Sequence, residues 1–395
     1  MTKLERFLGI GLLILTLLAV VVILLLPRWR PPAATPTEPS VDLGETETMT
    51  ARVVEILEEG TVDLGDGHTQ PYQRLLLRVE EGSLAGQTVT VEEGTLNVIG
   101  QERLFRVGDR VYLERAVGPQ GEERLYISDY VRTGTLFWLL AIFLTLVVLV
   151  GRSRGVRALG GTIFSLVVIF GFILPRIMAG RDPVWTCVTG SVVLLAVSAY
   201  LTYGWVPKTH AAVLGMLVSL LLTGLMARWF VELTRLTGLS AEESAYLVLE
   251  MGGDVNLRGI VLGGIIIGTL GVLDDICVGQ ASAVFELANT NREMGWRRLL
   301  QSGLNIGRDH IAAMVNTLLL AYVGASMPLM LVFAIYQEPI WRRINREPIA
   351  EEIVRTLVGS IGLVLAVPIT TLVASLLARW MVLRAWHVQH VQEGD

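Results

Sequence analysis

The sequence predicts an α-helical polytopic membrane protein of about eight transmembrane helices, carrying a small extracytoplasmic all-β domain of OB-like barrel type. Three observations lead there. Of 395 residues, 52% are hydrophobic and 17% charged, with a mean hydropathy of +0.56, whereas water-soluble domains carry about 25% charge. Apolar runs long enough to cross a bilayer recur along the chain. The charge is also uneven. Residues 41–133 hold 18 acidic and 9 basic side chains, and the rest of the chain is net +4. A formal charge of −5 argues against a nucleic-acid binder. The two cysteines, Cys187 and Cys277, sit in apolar runs and offer neither a disulfide framework nor a cysteine zinc site.

Residues 1–27 open with Lys3 and Arg6, followed by an apolar run over 7–26 that ends at Pro27. A cleaved signal peptide has a shorter apolar core and a small-residue cleavage site, so this reads as an uncleaved signal anchor. Residues 28–40 contain Pro31, Pro32, Pro36 and Pro39 and read as a stiff linker. Residues 41–133 alternate apolar and polar positions over 52–57, 72–79, 87–91, 110–113 and 125–130, which predicts strands. Gly65-Asp66-Gly67 and Gly108-Asp109 supply turn signals. The domain's acidity argues against binding phosphates. A partner-docking cap and a ligand-binding barrel both stay open, because the fold hosts many functions.

Residues 134–385 form the predicted membrane domain, with spans near 135–150, 159–175, 184–203, 209–230, 259–279, 311–336 and 353–377; 386–395 is a tail. Arg152, Arg154, Arg157, Lys208, Arg292, Arg297, Arg298 and Arg308 place those loops in the cytoplasm and residues 41–133 outside. Arg342, Arg343 and Arg346 break the rule, and one of the last segments is open to a re-entrant reading. Ser240 reads as the N-cap of a short helix through Glu250.

The informative stretch is 259–333. Gly259, Gly263, Gly264, Gly268 and Gly271 include pairs four apart, a spacing that lets helix backbones approach in a bilayer. Asp274 and Asp275 follow inside or at the end of an apolar span, where ionised carboxylates are expensive. On a helix, Asp275, Gly279, Ser282 and Glu286 share one face, with Gln280 nearby. The alternative is a helix broken near Gly271, with Asp275 capping the second half. Asn305, Asp309, Ala312 and Asn316 repeat the same spacing, flanked by Arg308 and His310. The expectation is that the two stripes face one another, Arg308 balancing a carboxylate and the amides lining a path. The plainer alternative is that the span ends near Leu273, leaving Asp274, Asp275, Arg308 and Asp309 as boundary charges in cytoplasmic water. Oxygen-rich groups suit protons or hard cations, and no dedicated metal spacing or cofactor motif is present. Neither G-x-x-x-x-G-K-[ST], H-E-x-x-H nor G-x-S-x-G occurs.

The stretch 271–287, then Ile306-Gly307-Arg308-Asp309-His310-Ile311 and Val315-Asn316-Thr317-Leu318, resembles the YibE/F family of bacterial multi-pass membrane proteins. The plan of anchor, small extracytoplasmic β domain and membrane bundle matches as well. The resemblance implies a permease of unassigned substrate in the bacterial inner membrane. Some members carry a single Asp and Ser-rich residues where this chain has Asp274-Asp275 and Gln280-Ala281-Ser282. The expected function is secondary transport or ion permeation, with the lipid bilayer, protons or cations and a second copy of the chain as partners. The rivals are a non-transporting scaffold or envelope-assembly factor and an intramembrane enzyme using Asp275 and Asp309.

Overall fold

The computed structural model describes residues 47–63, 69–94, 104–117, 123–240, 242–251, 255–335 and 338–392. The expected anchor over 7–26, the linker over 28–40 and the Gly65-Asp66-Gly67 turn lie outside the described residues. The chain divides into a β unit and a helical unit.

All five expected strands form, most of them longer than the alternation alone marks. They are β1 (Glu47–Asp63), β2 (Thr69–Glu81), β3 (Thr88–Glu93), β4 (Arg110–Val117) and β5 (Glu123–Tyr130). The sheet is antiparallel with order β3-β2-β1-β4-β5. Alternate residues turn to one side, as a pleated strand requires. Met49, Ala51 and Val53 of β1 meet Leu75, Leu77 and Val79 of β2, Val111 and Leu113 of β4, and Phe105. β1 is long and irregular, with register shifts between Thr50 and Ala51, Val53 and Glu55, and Ile56 and Glu58. Such bulges bend a strand and raise its twist, which carries the sheet round on itself. The two outer strands meet, where the Ile127 N–H donates to Glu93 Oε1 at 3.1 Å. Buried Gln73 pins the segment before β4, accepting from the Phe105 N–H at 2.8 Å and donating to its carbonyl at 3.2 Å.

The helical unit follows from long uncharged runs. The helices are α1 (Thr133–Val168), α2 (Leu174–Met178), α3 (Pro183–Tyr203), α4 (Pro207–Leu233), α5 (Glu242–Glu250), α6 (Leu257–Thr290), α7 (Trp296–Ala325), α8 (Met327–Ile335), α9 (Ile340–Ile344) and α10 (Glu347–Gln392), with residues 133–146 of α1 belonging to the β unit. Prolines stand at the starts of α3 and α4, where a missing N–H goes unnoticed. Asp182 accepts from the Trp185 N–H and caps α3. α6 and α10 form the middle, with α4 packed on both, α3 on α6 and α7 across α6 and α10. Val284, Ala281, Cys277, Leu273, Met216, Ala366 and Ala374 make the apolar centre.

Among the described residues, five helices are long and apolar enough to cross a membrane, or six if α7 and α8, bent by 65°, count as one. Two differences from the expected spans stand out. The expected spans at 135–150 and 159–175 join in one helical run, Thr133–Met178. Arg152 breaks it with φ 48° and ψ −132°, and the chain folds over so far that Gly155 lies against the Val147 carbonyl. A five-residue π stretch, Ile169–Ile173, precedes α2. The expected span at 311–336 bends at Ser326 between α7 and α8. The Ser240 hydroxyl donates to Glu351 of α10.

Candidate functional site

α6 starts where the Asn256 side chain accepts from the Gly259 N–H at 2.9 Å. Its 34 residues run to Thr290 without interruption, about 51 Å at 1.5 Å per residue. No break occurs at Gly271, so Asp275 caps nothing and the broken-helix geometry is set aside. Asp274 and Asp275 sit at the midpoint of this helix. Asp275, Gly279, Ser282 and Glu286 do share a face. That face points out of the bundle, with Asp275 and Glu286 exposed and Gly279 and Ser282 half-buried. Asp274 is half-buried on the flank toward α3, where Tyr203 lies close enough to feel both carboxylates.

Gln280 takes the opposite side and is fully buried between α6, α7 and α10. Its Nε2 donates to the Gly303 carbonyl and to Thr371 Oγ1, each at 2.7 Å. Thr371 passes its own hydrogen to the Val367 carbonyl. Gln280 Oε1 takes no hydrogen bond. Gly303 and Gly307 make the crossing possible. A Cβ on Gly303 would meet Thr371 Cγ2 at 2.6 Å and Val284 Cγ2 at 2.8 Å, and one on Gly307 would collide with Val367.

This crossing fixes the direction of the second stripe. With Gly303 and Gly307 turned inward, Asn305, Asp309, Ala312 and Asn316 point outward and are exposed. The two stripes therefore do not face one another. Arg308 donates to Asn305 Oδ1 at 3.1 Å, on its own helix, and pairs with no carboxylate among the described residues. The glycines also differ from expectation. Gly263 alone makes the tight helix contact foreseen for all five, against Cys187 Sγ at 2.5 Å. Gly259 is crowded by its own cap, Asn256, Gly268 touches Tyr322 Oη loosely at 3.6 Å, and Gly264 and Gly271 face open space.

Sequence reasoning missed a second set of polar side chains. Thr370 of α10 packs on Gly215 of α4, and Thr223 of α4 packs on Gly362 of α10. These two pairs fix an antiparallel register in which Thr209 falls opposite Ser375. Thr209, Thr370 and Ser375 are buried; the Thr209 and Ser375 hydroxyl oxygens lack a hydrogen-bond partner, and Thr370 meets the Cys277 thiol. With Gln280 Oε1, which lies on the α7 side of α10, they are buried polar positions spread over the contacts of α10 with α4, α6 and α7. Hydropathy hides them, because single Ser and Thr residues barely lower the average of an apolar run. Gly303 and Gly307, in contrast, were findable from their four-residue spacing. Among the described residues, no three His, Cys, Asp or Glu side chains gather as metal ligands.

At the α3–α4 turn, Tyr200, Trp205 and His210 cluster, with Tyr200 Oη 2.8 Å from His210 Nδ1 and the Tyr200 and Trp205 rings stacked at 4.5 Å. A family model described as YibE/F-like protein matches residues 139–380. No curated protein and no solved structure matches the chain.

Proposed function

The chain belongs to the YibE/F-like family, and from that premise we propose that it is a multi-pass permease of the bacterial inner membrane, moving protons or small hydrophilic cations. The observation that carries this reading is the set of buried polar atoms without partners, Gln280 Oε1 and the hydroxyls of Thr209 and Ser375. An unmet polar group in hydrocarbon is costly. A bundle serving only as an anchor gains nothing from three of them in its interior, whereas a permeant ion or water takes them as ligands. Gln280, Thr209 and Ser375 line the route in this reading. Asp274 stands at its flank as a half-buried carboxyl. Asp275, Ser282 and Glu286 sit on the outer face of α6 and serve as an approach to it.

The membrane setting draws support from the helices' length and from exposed Trp185, Trp205, Trp229 and Trp341 at helix ends, where indole rings favour the lipid–water interface. The β unit is then extracytoplasmic, and its curved five-stranded sheet is a partly open barrel.

The test is flux of protons and potassium into proteoliposomes holding the full chain. Thr209→Val combined with Ser375→Ala removes two unmet hydroxyls and breaks no hydrogen bond, so thermal stability in detergent holds or rises. Flux falls at least about tenfold, a barrier increase of about 1.4 kcal/mol. Flux that the double variant leaves unchanged rules this route out.

A further inference from the structure

The outward stripe of α7 has a property that its polarity alone does not explain. Asn305, Asp309, Ala312, Asn316 and Leu319 follow one another in alternating steps of four and three, and all are exposed. That is the spacing of a helix–helix seam packed knobs into holes. The opposite side of α7 already packs on α6 and α10 through Leu299, Gly303 and Gly307, so the seam has no use inside the bundle. Asn316 lies within 311–335, which contains no charged residue. Its neighbour Thr317 returns its hydroxyl to the Ala313 carbonyl, while the Asn316 amide takes no hydrogen bond among the described residues. An amide facing lipid in that state calls for a partner that can both donate and accept.

We propose that this seam is a homodimer interface, with α7 of two copies side by side about a two-fold axis along the membrane normal. The symmetry sets Asn316 against Asn316 of the second copy, where each amide donates to the other's oxygen. It also brings Asp309 close to Asp309 of the second copy, and Arg308, one position beside the seam, reaches across to that carboxylate and offsets the repulsion. Ala312, between them, allows the backbones to approach. The surface is thus complementary to itself in charge and in hydrogen bonding, as an isologous contact demands. Occupants within the chain are poorly matched: the apolar run at 7–26 has Thr16 as its only polar side chain, and the exposed run at 135–150 has only the hydroxyls of Thr135 and Thr145 and the Trp138 indole. Either would leave Asn305, Asp309 and Asn316 unmet. The inference rests on the membrane reading of the chain and not on permeation.

The experiment uses the full chain in its native membranes, with dimers read on non-reducing gels after mild oxidation. Cys187 and Cys277 are buried, which keeps the background low. Ala312→Cys yields a disulfide dimer, and Leu225→Cys, on an exposed face of α4, does not. Adding Asn316→Leu to Ala312→Cys lowers the dimer yield about tenfold (about 1.4 kcal/mol), and adding Asn316→Gln retains most of it. Equal cross-linking at the two positions, or a yield indifferent to Asn316→Leu, overturns the interface. So does an intramolecular cross-link between Ala312→Cys and Ile14→Cys. Release of the chain by an alkaline carbonate wash overturns the membrane reading itself, and with it the interface.

Discussion

At the residue scale, the crossing of α6 and α7 turns on two missing side chains. Gly307 admits Val367, and Gly303 admits Thr371 and Val284. Gly307→Val therefore overpacks the junction and destabilises the helical unit by about 1–3 kcal/mol, seen as a lower midpoint of thermal unfolding in detergent. The same change at Gly264, which faces open space, leaves the stability within about 0.5 kcal/mol of the parent and the midpoint nearly unmoved. This contrast also marks what could be read beforehand. Spacing shows which residues share a helix face, because 3.6 residues per turn is fixed. It says nothing about which way the face points. Asn305, Asp309 and Asn316 were legible as a stripe, and their outward direction became clear only from the glycines on the other side.

At the element scale, the loop after α4 is held by one side chain of α10. Glu347 accepts from the Thr237 hydroxyl at 2.8 Å and from the Gly238 N–H at 2.9 Å, and takes the Thr237 N–H as well. Gly238 has φ +83°, and a Cβ there would fall 2.8 Å from the Leu257 carbonyl group. Loop and helix start are thus locked together. Glu347→Ala strips three donors of their acceptor and costs about 1–3 kcal/mol. The measurement is amide exchange, which speeds up at Thr237 and Gly238 before it does in the body of α4. Strands and straight helices were legible because their periods are short and local. The break at Arg152 was legible only as a charged interruption between two spans. The backbone keeps near-helical bonding on both sides of one residue with positive φ, so a loop was expected where a single sharp corner exists.

At the scale of the whole molecule, acid acts on the β unit through its ion pairs. Glu80 lies between Arg52 at 2.8 Å and Arg110 at 2.7 Å, tying β2 to the arginines of β1 and β4. The Arg52 guanidinium, bonded to it, holds its carboxyl below the usual carboxylate range, with Arg110 adding to the effect. A carboxyl whose folded value is depressed stabilises the fold above its unfolded value, about 4.3. That support is lost as pH falls through the lower, folded value. Ser83 acts on Glu47 in the same direction. Acidifying the full chain in detergent from pH 7 to pH 3 should lower the melting of the sheet, read from the infrared amide band. Glu80→Gln should make that melting less sensitive to pH, and an unaltered slope would refute the linkage. The division into an acidic β unit and an apolar helical unit was visible in charge counts alone. The number of spans was not, because hydropathy registers length and oiliness but not the corner at Arg152 or the bend at Ser326.

α6 is longer than a bilayer's hydrocarbon core is thick, about 30 Å, and it is unbroken. A rod of that kind behaves as a lever. Pivoting by about 10° around its centre, near Asp274, it swings each tip by about 4 Å. Its far tip carries Ala288, packed with Leu299 and Ala378, so a small rotation deep in the bundle is delivered as a stroke at the start of α7.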